Sequence, residues 1–297
     1  MVNRHSFVRW MVAVRPWSFP ASASPVAVTL AYLLWRNAEI DWLGGIWALL
    51  NVVVFHAAGN VWSDYFDYRK GVDAADTFGA KTMTSGEFTS REMLNLAIGL
   101  LVVALLMGVG LMMRAGLPLF WFGLAGALTV VLYPRLKYSA LGDVDIMLAY
   151  AFFPTIGTSF VATGNVLWET LWIALSLGPI TVAILHSNNT RDIITDNRAK
   201  ISTLAMNIGR RASKWLYTAE VLFPFLLVAV CVVARLFPCW SLLTLPAVIP
   251  AWQCARDMLR HDEQSAHTIA NLDERTAKLQ LIFSILFAVS FILASFV

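Results

Sequence analysis

The chain carries Asn60-Val61-Trp62-Ser63-Asp64-Tyr65-Phe66-Asp67 at the end of one hydrophobic segment, and Asn188-Asn189-Thr190-Arg191-Asp192-Ile193-Ile194-Thr195-Asp196 at the end of another. A carboxylate at the centre of a membrane helix costs roughly 2.5–3.5 kcal/mol on insertion scales, so acids in membrane segments are expected to have a function. Two matched sets of Asn and Asp therefore indicate a divalent-cation site shared between two halves of a helical bundle.

The composition is that of a polytopic membrane protein. Of the 297 residues, 58% are hydrophobic and 14% are charged, whereas soluble domains carry about 25% charged residues. Nine apolar segments have roughly the length of a tilted membrane helix: 17–35, 42–63, 94–113, 117–133, 144–163, 167–187, 215–234, 238–255 and 277–297. The sequence predicts an all-α fold, with one transmembrane domain over residues 1–297. The basic N-terminus predicts no cleaved signal peptide.

Lys and Arg are distributed unevenly between the predicted loops. With a cytoplasmic N-terminus and nine alternating spans, all but three of the 22 Lys and Arg residues fall on the cytoplasmic side. The three exceptions are Arg36, Arg114 and Arg235. Because positive residues accumulate in cytoplasmic loops, this distribution predicts a cytoplasmic N-terminus. The two acidic loops, at about 60–92 and 186–214, then also face the cytoplasm.

In each acidic set the oxygen-bearing side chains share one face of a helix. The spacing is i, i+4 and i+7 in Asn60, Asp64 and Asp67. It is i, i+4 and i+8 in Asn188, Asp192 and Asp196, with Asn189 close to the same face. Carboxylate and amide oxygens suit Mg²⁺, which keeps phosphate oxygens in its shell. The pattern predicts one or two Mg²⁺ ions that bridge to a diphosphate, with Asp64, Asp67, Asp192 and Asp196 as the catalytic acids.

Basic residues near the acids suit a diphosphate leaving group, since positive charge stabilises the negative charge that develops as its bond to carbon breaks. They are Lys70, Lys81, Arg135, Lys137, Arg191 and Lys200. Other polar residues are left without an assigned role. His56 is interpreted as a satisfied interior histidine, while His186, Glu220, Asp73 and Asp76 stay open. Cys231, Cys239 and Cys254 show no metal-binding spacing and are interpreted as buried or lipid-facing.

At these residues the chain resembles the UbiA superfamily of membrane prenyltransferases. The first acidic set is similar to the Asn/Asp-rich first motif of that superfamily, and Asp192 with Asp196 resembles its DxxxD motif. The run from His186 to Asp192 resembles most the branch that acts on 1,4-dihydroxy-2-naphthoate, including its vertebrate menaquinone-4-forming relatives. Further similar segments are Arg15-Pro16, Lys70-Gly71-Val72-Asp73, Thr84-Ser85-Gly86, Thr203-Leu204-Ala205, Asn271-Leu272 and Thr276-Ala277. The chain departs from the branch at Thr77, Lys81 and Ala199.

The resemblance implies nine transmembrane helices around a central cavity and a Mg²⁺-dependent transfer of a polyprenyl group from polyprenyl diphosphate to an aromatic acceptor. With dihydroxynaphthoate, loss of CO₂ would give demethylmenaquinone. It implies that Arg15 joins the basic residues around the diphosphate, that Asn60, Asn188 and Asn189 join the acids, and that Tyr133 lines the reacting centre. The implied location is a bacterial inner membrane, with the site facing the cytoplasm and no nucleic-acid partner.

Alternatives stay open at this point. Within the superfamily the acceptor could be 4-hydroxybenzoate, homogentisate or a haem. A CDP-alcohol phosphotransferase also uses membrane carboxylates, but its DGxxAR pattern does not occur here. A cation transporter would be expected to hold its acids in mid-span and to have paired interrupted helices. Chain length of the donor and oligomeric state have no readable motif.

Overall fold

A computed structural model describes residues 7–74, 77–78, 81–262 and 266–297. Over these residues the protein is helical, with a single isolated bridge between Ser139 and Ser202. The α-helices are α1 (Phe7–Val14), α2 (Pro20–Trp35), α3 (Trp42–Lys70), α4 (Ser90–Ala115), α5 (Leu119–Lys137), α6 (Gly142–Met147), α7 (Phe153–Thr163), α8 (Leu171–Arg191), α9 (Ile193–Arg198), α10 (Leu204–Val233), α11 (Val248–Arg260) and α12 (Leu272–Ala294). Asp76, left open above, lies outside the described residues.

Each of the nine predicted apolar segments is helical, but they are not equivalent. Seven helical stretches in the described part of the chain are long and apolar enough to cross a membrane. The first predicted span corresponds to α2, which has 16 residues and begins at Pro20. The eighth is divided between a 3₁₀-helix, Cys239–Ala247, and α11. Pro246 within that 3₁₀-helix cannot donate a backbone hydrogen bond, which disfavours one continuous α-helix there. The nine-span count and the orientation stay predictions.

The helices form a closed ring. Contacts run from α2 through α3, α4, α5, α6, α8, α10, α11 and α12 back to α2. The largest hydrophobic core lies in one part of this ring, where α2, α8, α10, α11 and α12 meet. Its centre is a group of edge-to-face aromatic rings that includes Tyr32, Phe237, Phe287 and Phe291. Aromatic pairs of this kind stabilise a core by about 0.5–1.5 kcal/mol beyond area burial.

The opposite part of the ring contains a cavity instead of a dense core. It lies between α3, α5 and α7, and its empty volume, which includes the open space at its mouth, is about 790 Å³. The cavity is therefore displaced towards α2–α7 rather than lying at the centre of all the helices. A π-helical stretch, Leu148–Phe152, joins α6 to α7 on its wall. Pro154 explains this stretch, since its ring would clash with the carbonyl of Tyr150 in a regular α-helix.

Candidate active site

The final turns of α3 hold the first acidic set, which points towards the segment between α1 and α2. Asp64 is buried, and its Oδ1 accepts a hydrogen bond from Arg15 Nη2 at 2.5 Å. Asn60 donates its amide to the Val14 carbonyl and to Ser18 Oγ, both at 3.0 Å. The predicted helical register of this set is confirmed, because α3 continues to Lys70 without interruption.

Arg15 itself has a strained backbone. Its φ of 55° lies in the left-handed region, which is uncommon for a residue with a side chain. Pro16 follows it, and a residue before proline is pushed out of the right-handed helical region. Such conformations cost of order 1–3 kcal/mol and occur often at ligand sites. Here the strain turns the chain sharply between α1 and the 3₁₀-helix Pro16–Ser18, which brings the guanidinium to Asp64.

Asp67 accepts three side-chain hydrogen bonds. Its Oδ2 accepts from Lys137 Nζ at 2.8 Å and from Ser63 Oγ at 3.1 Å, while its Oδ1 accepts from Tyr138 Oη at 2.8 Å. Burial, followed by the charge of Asp67, raises the pKa of Tyr138, so the phenol stays protonated and donates. Sequence reasoning included Lys137 but missed Tyr138, because no motif marks a tyrosine that reaches back to another helix.

The second acidic set lies where α8 ends and α9 begins. Asp192 stands between the two helices, and Arg191 holds its carboxylate with two parallel hydrogen bonds of 2.8 and 2.7 Å. Asp196 is buried on α9. Burial raises the pKa of Asp196 to about 7; Lys137 opposes this rise, and Asp192 and Asp67 reinforce it. Asp196 therefore lies within electrostatic range of the first acidic set.

The C-terminal end of α5 joins the two acidic sets. Lys137 bonds Asp67 directly and interacts electrostatically with Asp196. Next to it, the Tyr138 carbonyl accepts from Ser202 N at 3.0 Å, and Ala140 N donates to the Ser202 carbonyl at 2.7 Å. The loop after α9 is thus tied to the loop after α5. The two acidic sets are therefore related through Lys137, which pairs with Asp67 and acts electrostatically on Asp196, and through the backbone hydrogen bonds of Ser202.

Asp73, to which the sequence assigned no role, belongs to the same site. It is 9% exposed, and its backbone N–H donates to the Asp67 carbonyl. Burial and the neighbouring charges of Asp67 and Asp64 raise the pKa of Asp73 to about 7. The neighbouring acids therefore disfavour ionisation of Asp73 unless a cation offsets their charge.

The donor set fits a hard divalent cation. Five carboxylates (Asp64, Asp67, Asp73, Asp192 and Asp196) lie with three cations (Arg15, Lys137 and Arg191). When all of them are ionised the formal charge is −2, and Asp273, 3.8 Å from Arg191, adds a further negative charge. Two buried oxygens, Asp64 Oδ2 and Asn188 Oδ1, have no hydrogen-bond partner. Oxygen-only ligands and excess negative charge suit Mg²⁺. Of the two predicted asparagines on α8, Asn188 has the unpartnered oxygen, and Asn189 is buried beside it.

The cavity between α3, α5 and α7 begins directly beneath the acids. Its α3 wall includes Ala48, Asn51, Val52, Phe55 and His56, which continue the helical face that carries Asn60 and Asp64 one and two turns later. Ser18 links the two levels, because its Oγ contacts both Asn60 Nδ2 and His56 Nε2. The polar site and the apolar cavity are therefore adjacent along one face of α3.

Tyr133 lies at the junction between these levels. On α5, Val130 lines the cavity one turn before Tyr133, and Lys137 reaches Asp67 one turn after it. Tyr150, from the π-helical stretch, lines the cavity and packs edge-to-face on His56 with ring centroids 4.7 Å apart. His56 also contacts Ser22 Oγ at 3.0 Å, so its interpretation as a satisfied interior histidine is in agreement with the structure.

The sequence profile of the UbiA prenyltransferase family matches residues 24–282. The chain belongs to this family. It is a membrane-bound prenyltransferase, and the resemblance seen in its motifs is confirmed at the level of the family.

Relatives and a solved structure agree with this assignment. The UbiA prenyltransferase domain-containing protein 1 homolog of Drosophila melanogaster is 33% identical over 296 residues, covering 95% of this chain and 78% of that protein. The UbiA prenyltransferase domain-containing protein 1 of Gallus gallus is 30% identical over 299 residues, covering 98% and 86%. A UbiA homolog from Archaeoglobus fulgidus, bound to GPP and Mg²⁺, has the same fold, with a TM-score of 0.64 at 15% identity over 97% of this chain and 100% of that chain.

These comparisons refine two expectations for this UbiA family member. Both of these relatives are of the UbiA prenyltransferase domain-containing protein 1 type, rather than the dihydroxynaphthoate branch that the motif residues suggested. They are animal proteins, so the expected bacterial inner membrane gains no support from them. Location as an integral membrane protein is supported by the family and by the apolar helices.

Lys81 and Lys200, two basic residues predicted for the site, differ from the other predicted basic residues in their exposure to solvent. Lys81 is exposed and begins the turn in which its carbonyl accepts from Ser85 N. Lys200 is exposed at the end of α9 and has a left-handed φ of 56°. Arg191, by contrast, is buried against Asp192 and lies over the ring of Phe78 at 4.7 Å. Arg15 and Lys137 are half-buried and Arg191 is buried, and all three form ion pairs with the acids, whereas the side chains of Lys81 and Lys200 are exposed.

Proposed function

We propose that this protein transfers a polyprenyl group from a polyprenyl diphosphate to an aromatic acceptor, with 1,4-dihydroxy-2-naphthoate as the acceptor. The observation that carries this proposal is the position of a joined acidic site directly above an apolar cavity. A diphosphate requires cations and charge, whereas an isoprenoid tail requires an apolar enclosure. The two environments lie about two helical turns apart, between His56 and Asp64 on α3 and between Val130 and Lys137 on α5.

Mg²⁺ would be held by Asp64, Asp67, Asp192 and Asp196, with Asn60 and the α8 asparagines as further oxygen ligands. When bound, it supplies the positive charge that neutralises the diphosphate. The unpartnered oxygens of Asp64 and Asn188 support this assignment. The UbiA homolog from Archaeoglobus fulgidus was solved with GPP and Mg²⁺, which supports the same donor class here.

The cationic side chains orient the departing diphosphate. Arg15 and Lys137 are fixed by Asp64 and Asp67, so their positive charges are in place before substrate binds. Arg191 is fixed in the same way by Asp192. Lys81 and Lys200, which are exposed, are assigned to the outer phosphate. The bond between the allylic carbon and the diphosphate oxygen breaks, and its electron pair leaves with the diphosphate.

The cavity holds the tail and excludes water from the allylic cation that remains. Tyr133, between the cavity and Lys137, lines the reacting centre. The electron-rich ring of the acceptor then forms the new carbon–carbon bond at its carboxylate-bearing carbon, and that carbon loses CO₂. The run from His186 to Asp192 supports dihydroxynaphthoate; 4-hydroxybenzoate, homogentisate and haem are the competing acceptors.

The same proposal includes nine membrane-crossing helices with the acidic site on the cytoplasmic side. The distribution of Lys and Arg supports this orientation. Labelling of single cysteines introduced near Asp41 and near Lys200 in sealed vesicles tests it. The Lys200 position should react only with reagent on the cytoplasmic side, and the reverse pattern would refute the orientation.

The acceptor is tested with purified protein in lipid nanodiscs, Mg²⁺, a labelled prenyl diphosphate and a panel of the four acceptors. Product with dihydroxynaphthoate alone is expected. Asp64→Asn should lower turnover at least about 100-fold, because it removes a carboxylate that would hold Mg²⁺ and that fixes Arg15. Asp41→Asn is the matched control, since Asp41 caps the other end of α3 and asparagine also caps helices. Failure to form product with any of the four acceptors would refute the proposal, and so would an Asp64→Asn protein with wild-type activity.

A further inference from the structure

A second polar cluster lies inside the helical ring, apart from the acidic residues assigned above. It consists of Asp143 at the start of α6, His186 on α8 and Glu220 on α10, and all three are buried. In the described part of the chain this is the one group of three or more His, Cys, Asp or Glu side chains whose ligand atoms all lie within 4.8 Å of one another. Neither His186 nor Glu220 has a role in the proposed transfer reaction.

Hydrogen bonds around His186 require a proton on Nε2, one of its two ring nitrogens. Thr190 Oγ1 donates to the His186 carbonyl at 2.8 Å, so it must accept from Ser213 Oγ, which lies 2.5 Å away. Ser213 has then used its only proton. The 2.8 Å contact between Ser213 Oγ and His186 Nε2 therefore requires Nε2–H as the donor. The Nδ1 atom is left facing the two acids.

Nδ1 lies between two carboxylates without forming a hydrogen bond. It is 3.3 Å from Asp143 Oδ1 and 3.2 Å from Glu220 Oε1. Even so, His186 Nδ1, both oxygens of Asp143 and Oε2 of Glu220 are buried atoms with no hydrogen-bond partner. Unpartnered polar atoms of this kind cost about 1–3 kcal/mol each, and more when charged. Nδ1 and two carboxylates can face one another at these distances only with a metal ion or protons between them.

The spacing and charge favour a metal ion over a proton. A tetrahedral site with metal–ligand bonds of about 2.1 Å has edges of about 3.4 Å, close to the observed 3.2 and 3.3 Å. A single proton on Nδ1 would leave the buried group with a charge of −1, so neutrality without a metal needs a second proton on one of the carboxylates. A divalent cation with neutral imidazole and two carboxylates is electrically neutral, which a low-dielectric interior favours. One imidazole and two carboxylates suit Zn²⁺ or Mn²⁺ rather than Mg²⁺.

We propose that Asp143, His186 and Glu220 form a second, structural divalent-metal site that binds a transition metal of the Zn²⁺ or Mn²⁺ class. The metal ties α6, α8 and α10 together two turns before Asp192. Ser213 is the outer partner that orients the imidazole. This site is independent of the proposed transfer reaction.

The test uses the full chain in lipid nanodiscs, without an affinity tag, stripped with EDTA and reloaded with Mn²⁺. Pulsed electron paramagnetic resonance detects the ¹⁴N coupling of a directly bound imidazole, which a site made only of oxygen ligands lacks. We expect wild type to show this coupling and Glu220→Gln, a near-isosteric variant, to lose it. Asp192→Asn removes a carboxylate from the other site and should keep it. Ser213→Ala should weaken the histidine-bound Mn²⁺ about 10–100-fold.

The ¹⁴N coupling of Mn²⁺ in wild-type protein tests the proposal by itself, so the test still holds if a variant fails to fold. Loaded wild type without ¹⁴N-coupled Mn²⁺ would overturn it, and so would an undiminished coupling in folded Glu220→Gln. Loss of the coupling in Asp192→Asn, with retention in Glu220→Gln, would place the histidine-bound metal elsewhere and also overturn it. Prenyl transfer by wild type and Asp64→Asn tests the proposed function, whereas the ¹⁴N coupling tests the second metal site. Either proposal can therefore be refuted without the other.

Discussion

Replacing Tyr138 with phenylalanine removes one hydroxyl from the joint between the two acidic sets. That hydroxyl donates to Asp67 Oδ1 at 2.8 Å, while Lys137 and Ser63 hold the other carboxylate oxygen. A hydrogen bond to a charged group contributes about 1.5–3 kcal/mol. At about 1.4 kcal/mol per factor of ten, this corresponds to roughly 10–150-fold. Mutation of a residue that hydrogen-bonds a metal ligand lowers metal affinity or activity by about 10–100-fold. The estimate from the hydrogen-bond free energy falls in the same range.

The measurement is the dependence of the initial prenyl-transfer rate on Mg²⁺ concentration. We expect the apparent Mg²⁺ affinity of Tyr138→Phe to fall about 10–100-fold, because the Asp67 carboxylate is no longer fixed on both sides. Tyr217→Phe is the matched control. Its hydroxyl contacts Thr276 Oγ1 at 2.6 Å in the buried core, so its loss should lower stability by about 0.5–1.5 kcal/mol and leave Mg²⁺ dependence unchanged. An unaltered Mg²⁺ profile in Tyr138→Phe would refute the role of α5 as the joint.

Two further predictions follow from the acids and the cavity. Burial and neighbouring acids raise the pKa of Asp73 from 3.8 to about 7, so the folded protein binds this proton more tightly than the unfolded chain does. The protonated carboxyl group therefore stabilises the fold below about pH 4, and this contribution is lost as the pH rises through about 7. Thermal unfolding in EDTA should therefore show wild type losing stability relative to Asp73→Asn across this window; a constant difference would contradict it. Gly126→Leu should shorten the longest donor accepted, because a Cβ at Gly126 meets open space in the cavity, whereas exposed Gly99→Leu should not. Product analysis with donors of increasing length checks this, and equal profiles for both variants would refute it.

The local register of the site was predictable from the sequence. Asn60, Asp64 and Asp67 share a face because the helical period is fixed by backbone geometry, and α3 follows that period to its last turn. The pairing of Lys137 with the acids also followed from the chemistry of the residues. Hydropathy located all nine apolar segments, since each has to be helical wherever it is surrounded by lipid or by other helices.

Other features depend on packing that no local pattern records. Tyr138 acts on Asp67 from 71 residues away, and its position results from the bridge between Ser139 and Ser202. Asp143, His186 and Glu220 come from three different helices, so their convergence needed the fold. The eighth apolar segment was interpreted as one span on hydropathy alone, which does not detect the break into a 3₁₀-helix and α11.

The position of the cavity separates the residues that would contact the donor lipid from the residues that stabilise the fold. Its walls come mainly from α3, α5 and α7, whereas the aromatic core is built from α2, α8, α10, α11 and α12. Mutations that change how long a lipid fits therefore fall on different helices from those that keep the protein folded. Such an arrangement lets donor preference diverge among descendants of one ancestor while the fold tolerates each intermediate.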